Sequence, residues 1–101
     1  MSKKELCQDL IEILKAVKDN IKDNADCVWS HYENPKQARD EIDKYIAELQ
    51  IGNIDSLFAM QVNFAPTSGY QELSIQNGWS DEYLKLSSRF DDISLKLKNC
   101  R

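Results

Sequence analysis

Apolar residues recur at three- and four-residue steps along most of the chain, which is the spacing of one face of an α-helix. In the first segment, Ser2 and Glu5 have capping-box spacing, which is typical of a helix start. The apolar stripe after them is Leu6, Leu10, Ile13, Leu14, Val17 and Ile21, and Ala25, Val28, Trp29 and Tyr32 extend it. The polar stretch 19–26 interrupts the stripe but contains neither Gly nor Pro. We therefore expect one continuous or kinked helix to about Glu33, in preference to two helices with a break near residues 20–24.

A second helix is predicted over about 35–51. Asn34 at the cap, Pro35 at the first helical position and Gln37 three residues after Asn34 each favour a helix start there. The apolar stripe that follows is Ala38, Ile42, Tyr45, Ile46 and Leu49. Gly52 supplies the left-handed residue that often ends a helix.

The segment 53–64 fits two patterns. Ile54, Leu57, Phe58, Met60 and Phe64 suit a helix capped by Asn53 or Asp55, whereas Met60, Val62 and Phe64 alternate with polar residues as in a strand. A single strand without a partner is marginally stable, so we predict a third helix.

The rest of the chain predicts a loop followed by two further helices. Residues 65–69 form a loop by composition, and Ser68 with Gln71 can cap a short helix that ends at Asn77-Gly78. A last helix begins at Ser80 and has a broad apolar face: Tyr83, Leu84, Leu86, Phe90, Ile93, Leu95 and Leu97. The predicted fold is a single all-α domain over residues 1–101, a small antiparallel bundle of four main helices and one short helix.

Composition and charge exclude several classes of function. The 101 residues carry 13 Lys+Arg against 17 Asp+Glu, a formal net charge of −4, which argues against a nucleic-acid binder. The lysines of the first helix alternate with acidic residues, unlike the basic face of a membrane-surface helix. There is no apolar run long enough for a signal peptide or a membrane span. Cys7, Cys27 and Cys100 are widely spaced, which favours reduced thiols and a cytoplasmic protein.

Catalytic chemistry has little support in the sequence. His31 is the only histidine, and no residue at a fixed spacing is indicated as its catalytic partner. No ligand spacing for a metal and no Gly-rich loop for phosphate occurs. We expect a protein that is not an enzyme and that needs neither metal nor cofactor.

The stretch 45–84 contains no Lys or Arg, although it is rich in aromatic and uncharged polar residues. Its aromatic residues can simply be the core, which is the usual location of apolar residues at helical spacing. Alternatively, Phe64, Pro66, Tyr70 and Trp79 present a partner-binding surface, mildly negative and suited to a basic protein. The functional hypothesis is a protein-binding module, in concrete form an immunity- or antitoxin-type inhibitor of a basic toxin. The alternative is a small-molecule-binding protein or a homodimer.

Overall fold

The computed structural model describes residues 2–28, 30–65 and 68–99. These residues form five α-helices and no strand, so the all-α prediction is confirmed. The helices are α1 Lys3–Asn20, α2 Pro35–Gln50, α3 Leu57–Asn63, α4 Gly69–Asn77 and α5 Ser80–Lys98. Three of them are long and two are short: α3 has 7 residues and α4 has 9.

The first helix is shorter than predicted, and the preference for continuity to Glu33 is wrong. The helix ends at Asn20, whose side-chain amide donates a 2.9 Å hydrogen bond to the Ala16 carbonyl. Ile21 is extended (φ −93°, ψ 92°) and buried. Its carbonyl accepts a 2.9 Å hydrogen bond from Arg39 Nη1, which satisfies a group that a continuing helix would have paired.

The connection from α1 to α2 is held by side chains that are distant in sequence. Asn77, the last residue of α4, donates to the Asp26 carbonyl (2.9 Å) and accepts from the Asp26 N–H (2.8 Å). Val28, predicted on the buried stripe, is 74% exposed, whereas Tyr32 is buried. The apolar period in this connection therefore does not correspond to a helix face.

The starts of α1 and α2 and the end of α2 follow the local signals. Ser2 Oγ accepts from the Glu5 N–H (3.2 Å), and Asn34 Oδ1 accepts from the Gln37 N–H (2.8 Å). Gly52 has φ +74°, the left-handed conformation that follows α2.

The two short helices differ from the predicted caps. Asn53 Oδ1 accepts from the Asp55 N–H (2.8 Å) in a turn, so that α3 begins only at Leu57. Ser68 precedes α4, but its hydroxyl donates to the Asn63 carbonyl (2.8 Å) instead of capping α4. This bond ties the start of α4 to the end of α3.

The core lies where α1 packs against both α2 and α5, while α4 lies on α5 and α3 contacts α4 and α5. The large core side chains with less than 2% exposure include Leu10, Ile13, Leu14, Ile42, Leu49, Met60, Tyr70, Leu73, Phe90 and Leu97. Because α3 covers α4 and α5 with one face only, its opposite face is left to solvent.

Candidate functional site

The residues predicted to bind a partner lie mostly in the core. Phe64, Tyr70 and Trp79 are 3%, 0% and 8% exposed. Pro66 lies outside the described residues. Burial of the three aromatic side chains agrees with the core interpretation of this segment, and their role in binding stays a prediction.

These aromatic side chains attach the short helices to α5. The Phe64 ring stacks on Phe90 with centroids 4.1 Å apart and meets Tyr70 edge-on at 5.0 Å. Tyr83 donates a 2.9 Å hydrogen bond to the Phe64 carbonyl and contacts Trp79 edge-on at 6.3 Å. Phe64 thus connects α3, α4 and α5 at one point.

A cluster of hydrogen-bonded polar side chains lies beside this aromatic core. Tyr32 donates to Glu41 Oε1 at 2.6 Å, and Asn63 Nδ2 donates to the same oxygen at 3.0 Å. Asn63 Nδ2 also lies 3.3 Å from the hydroxyl oxygen of Tyr45. We call Tyr32, Glu41, Tyr45 and Asn63 the polar cluster; it joins the segment before α2, two successive turns of α2, and the end of α3.

The tyrosine hydroxyls of the polar cluster are held in the neutral form. Burial, and then the neighbouring Tyr70 and Glu41, raise the pKa of Tyr32 far above its ordinary value. Burial and the negative charge of Glu41 raise the pKa of Tyr45 to about 12. Burial likewise raises the pKa of Tyr70, and Glu41 adds to the effect. At neutral pH these groups are hydroxyls and not nucleophilic phenolates.

Glu41 is half-buried and takes part in no ion pair among the described residues. The ion pairs among the described residues are Lys18–Asp43, Lys36–Asp40, Arg39–Asp23 and Lys96–Asp92, and none of them includes Glu41. Glu48 lies further along the same face of α2, and its buried Oε2 has no hydrogen-bond partner within the described residues. Among the described residues, the two carboxylates on either side of Tyr45 therefore have no ion-pair partner.

An apolar surface on α3 adjoins the polar cluster. Phe58 is 75% exposed and Val62, one turn later, is 50% exposed. They border an open depression of about 480 Å³ whose lining also includes His31, Glu41, Tyr45 and Asn63. We call this the α3 depression. It combines exposed apolar groups, a carboxylate and neutral polar groups.

His31 lies at the margin of the α3 depression. It is exposed, and its ring lies 4.0 Å from that of Tyr32. In the part of the chain that the structure describes, no three His, Cys, Asp or Glu side chains are grouped so that they could hold a metal ion. No helix in the described ranges is long and apolar enough to cross a membrane.

The exposure of Phe58 was not anticipated from the sequence, which placed it on the buried stripe. One signal was available: α3 has apolar residues on every side, among them Leu57, Phe58, Met60 and Val62. A surface helix of that kind cannot bury all of them. The participation of Glu41 and Asn63 carried no signal, because residues 22 positions apart meet only in the folded chain.

No protein-family model, no curated protein and no solved structure matches this chain.

Proposed function

We propose that the protein is a non-catalytic binding module that recognises a basic protein partner through the α3 depression. One observation carries the proposal: Phe58 and Val62 are exposed side by side, next to a carboxylate that has no ion pair among the described residues.

The apolar groups supply affinity in this proposal. Burying an exposed Phe or Val side chain contributes about 1.5–3 kcal/mol. Aromatic anchors near the centre of an interface commonly provide much of its binding energy. Phe58 is the anchor, and Val62 extends the apolar contact along the helix.

The charge distribution supports a basic partner. The stretch 45–84, which includes α3 and α4, has no Lys or Arg, and its charges are all negative. A partner with the opposite charge is favoured in the encounter, while an acidic competitor is repelled. The concrete form of the proposal is a cytoplasmic inhibitor of the immunity or antitoxin type that neutralises a basic toxin, which rests on analogy of size and charge.

Self-association through the same face is the less favoured alternative. A two-fold dimer would place the same patch of each copy against the other. Both patches would carry Glu41 and neither would bring a Lys or Arg from 45–84. The two Glu41 carboxylates would then meet at the seam with no cation from that stretch to offset them.

The test compares Phe58→Ser with Leu95→Ser, a matched change at an apolar residue that is 60% exposed on α5. Serine adds no charge, so that only the apolar contact is altered. Tagged variants are expressed in the cells that naturally make the protein, and co-purifying proteins are quantified by mass spectrometry. We expect a basic protein to be recovered with the wild type and with Leu95→Ser, and at least tenfold less with Phe58→Ser.

Equal recovery with both variants would refute the proposal. A concentration-dependent dimer that Phe58→Ser dissociates, seen by sedimentation velocity, would replace it with self-association.

A further inference from the structure

We infer that the α3 depression receives an arginine side chain, with Glu41 as the carboxylate that binds the guanidinium. The inference rests on the proposed function in one respect: the arginine belongs to the basic partner protein proposed above. Binding of the guanidinium group itself can be tested without that partner.

The carboxylate of Glu41 is oriented by two hydrogen-bond donors that do not neutralise it. Its Oε1 accepts from the Tyr32 hydroxyl (2.6 Å) and from Asn63 Nδ2 (3.0 Å), which orient the carboxylate. Both donors are neutral, so they leave its negative charge in place. Arg39 and Lys44 are the cations nearest to Glu41 along α2; Arg39 pairs with Asp23, Lys44 is exposed, and neither forms an ion pair with Glu41 among the described residues. A half-buried, oriented and uncompensated carboxylate attracts a cation more strongly than a fully solvated one.

The other polar atoms of the α3 depression are compatible with the same ligand. A guanidinium group has five N–H donors and no acceptor, so it needs several acceptors in one place. Besides Glu41, the residues that line the depression include Tyr45 and Asn63, whose side chains carry a hydroxyl oxygen and an amide oxygen that can accept hydrogen bonds. An anionic ligand would be repelled by Glu41. A wholly apolar ligand would desolvate its charge without replacing the lost hydration.

The apolar border distinguishes arginine from lysine. Phe58 is 75% exposed and Val62 is 50% exposed, so an aromatic ring and an aliphatic side chain are both accessible to the aliphatic part of a long side chain. Arginine is planar, more weakly hydrated than lysine, and stacks on aromatic rings. The lining of the depression thus includes both a carboxylate for the guanidinium and apolar side chains for the aliphatic stem.

The experiment uses acetyl-arginine amide as the probe, and acetyl-citrulline amide as a neutral compound of nearly the same shape. Each is titrated into the ¹⁵N-labelled full chain at low salt, and amide shifts are followed by NMR. We expect saturable shifts with the arginine compound at residues 41–45 and 58–63, and none with citrulline. Glu41→Gln should weaken binding at least tenfold and Phe58→Ser about two- to fivefold. Glu12→Gln, at an exposed glutamate on α1, should change nothing.

Three results would overturn the inference: no saturable shift with the arginine compound, an equal response to citrulline, or full binding by folded Glu41→Gln. Equal binding of acetyl-lysine amide would overturn the choice of arginine. If Glu41→Gln does not fold, the citrulline comparison and Phe58→Ser decide the question. A partner that depends on Phe58 without any response to the arginine compound would refute only this inference. A response without such a partner would refute only the proposed function.

Discussion

The two faces of α3 place similar side chains in opposite environments. Met60 and Phe64, the residue that directly follows the last turn of α3, are buried, and Phe64 stacks on Phe90 of α5. Phe58 and Val62 lie on the other side of the same helix, exposed beside the polar cluster. The comparison teaches that one face holds this short helix in place, which leaves the other face available for a partner.

The largest effect is expected on the buried face. Phe64→Ala removes the ring that contacts Tyr70, Tyr83 and Phe90 and leaves a cavity. We expect the free energy of unfolding to fall by about 3–5 kcal/mol, measured by urea denaturation. A loss below about 1 kcal/mol would mean that α3 is not held by this face.

The polar cluster at the junction of the two faces should have the next largest effect. Asn63→Ala removes the amide that donates to Glu41 and leaves that half-buried carboxylate with one donor fewer. We expect a loss of about 1–3 kcal/mol in urea denaturation. Gln61→Ala is the matched control because Gln61 lies on the same helix, and its loss removes a hydrogen bond to Ser94 of α5 that does not involve the polar cluster. A smaller loss for Asn63→Ala than for Gln61→Ala would contradict the central role of the cluster.

Alkaline pH should lower the free energy of unfolding through the buried tyrosine of α2. Burial and Glu41 raise the pKa of Tyr45 to about 12, above the ordinary tyrosine value of 10. Between these values the unfolded chain binds fewer protons than the folded chain, so the stability contributed by Tyr45 is lost as pH rises through this window. Unfolding at pH 9 and pH 11, with tyrosinate absorbance followed in parallel, checks this expectation. Tyr45→Phe should reduce the pH dependence, and an unchanged slope would contradict it.

The smallest effect on stability is expected on the exposed face. Phe58→Ala should change the free energy of unfolding by no more than about 0.5 kcal/mol, because the side chain is 75% exposed. The same urea measurement as for Phe64→Ala provides a direct comparison within one helix. A loss of similar size for both variants would abolish the distinction between the two faces.

Most helix boundaries could be predicted because their signals are local. Asn34 and Pro35 start α2, Gly52 and Gly78 take up left-handed conformations after helices, and the structure confirms each of these positions. The error at the end of α1 has the same origin. The apolar period after Asn20 continued in the sequence, but nothing local showed that Arg39 would pair with the Ile21 carbonyl.

The candidate site could be predicted only in part. The absence of Lys and Arg over 45–84 was evident from the sequence, and this stretch supplies Tyr45, Phe58, Val62 and Asn63 to the α3 depression but neither His31 nor Glu41. The sequence could not show which aromatic side chains are exposed, since periodicity places Phe58 and Phe64 equally on a helix. Their exposure depends on which side α5 occupies.

The sequence by itself therefore determined the helical class, the positions where most helices begin and end, and the acidic character of the middle segment. These properties depend on interactions within a few residues of each other, or on composition alone. Only the tertiary structure decided that Phe64 is core, that Phe58 is surface, and that Tyr32, Glu41 and Asn63 meet. Those contacts join residues 9 to 31 positions apart, and their formation depends on how the helices pack to bury apolar area.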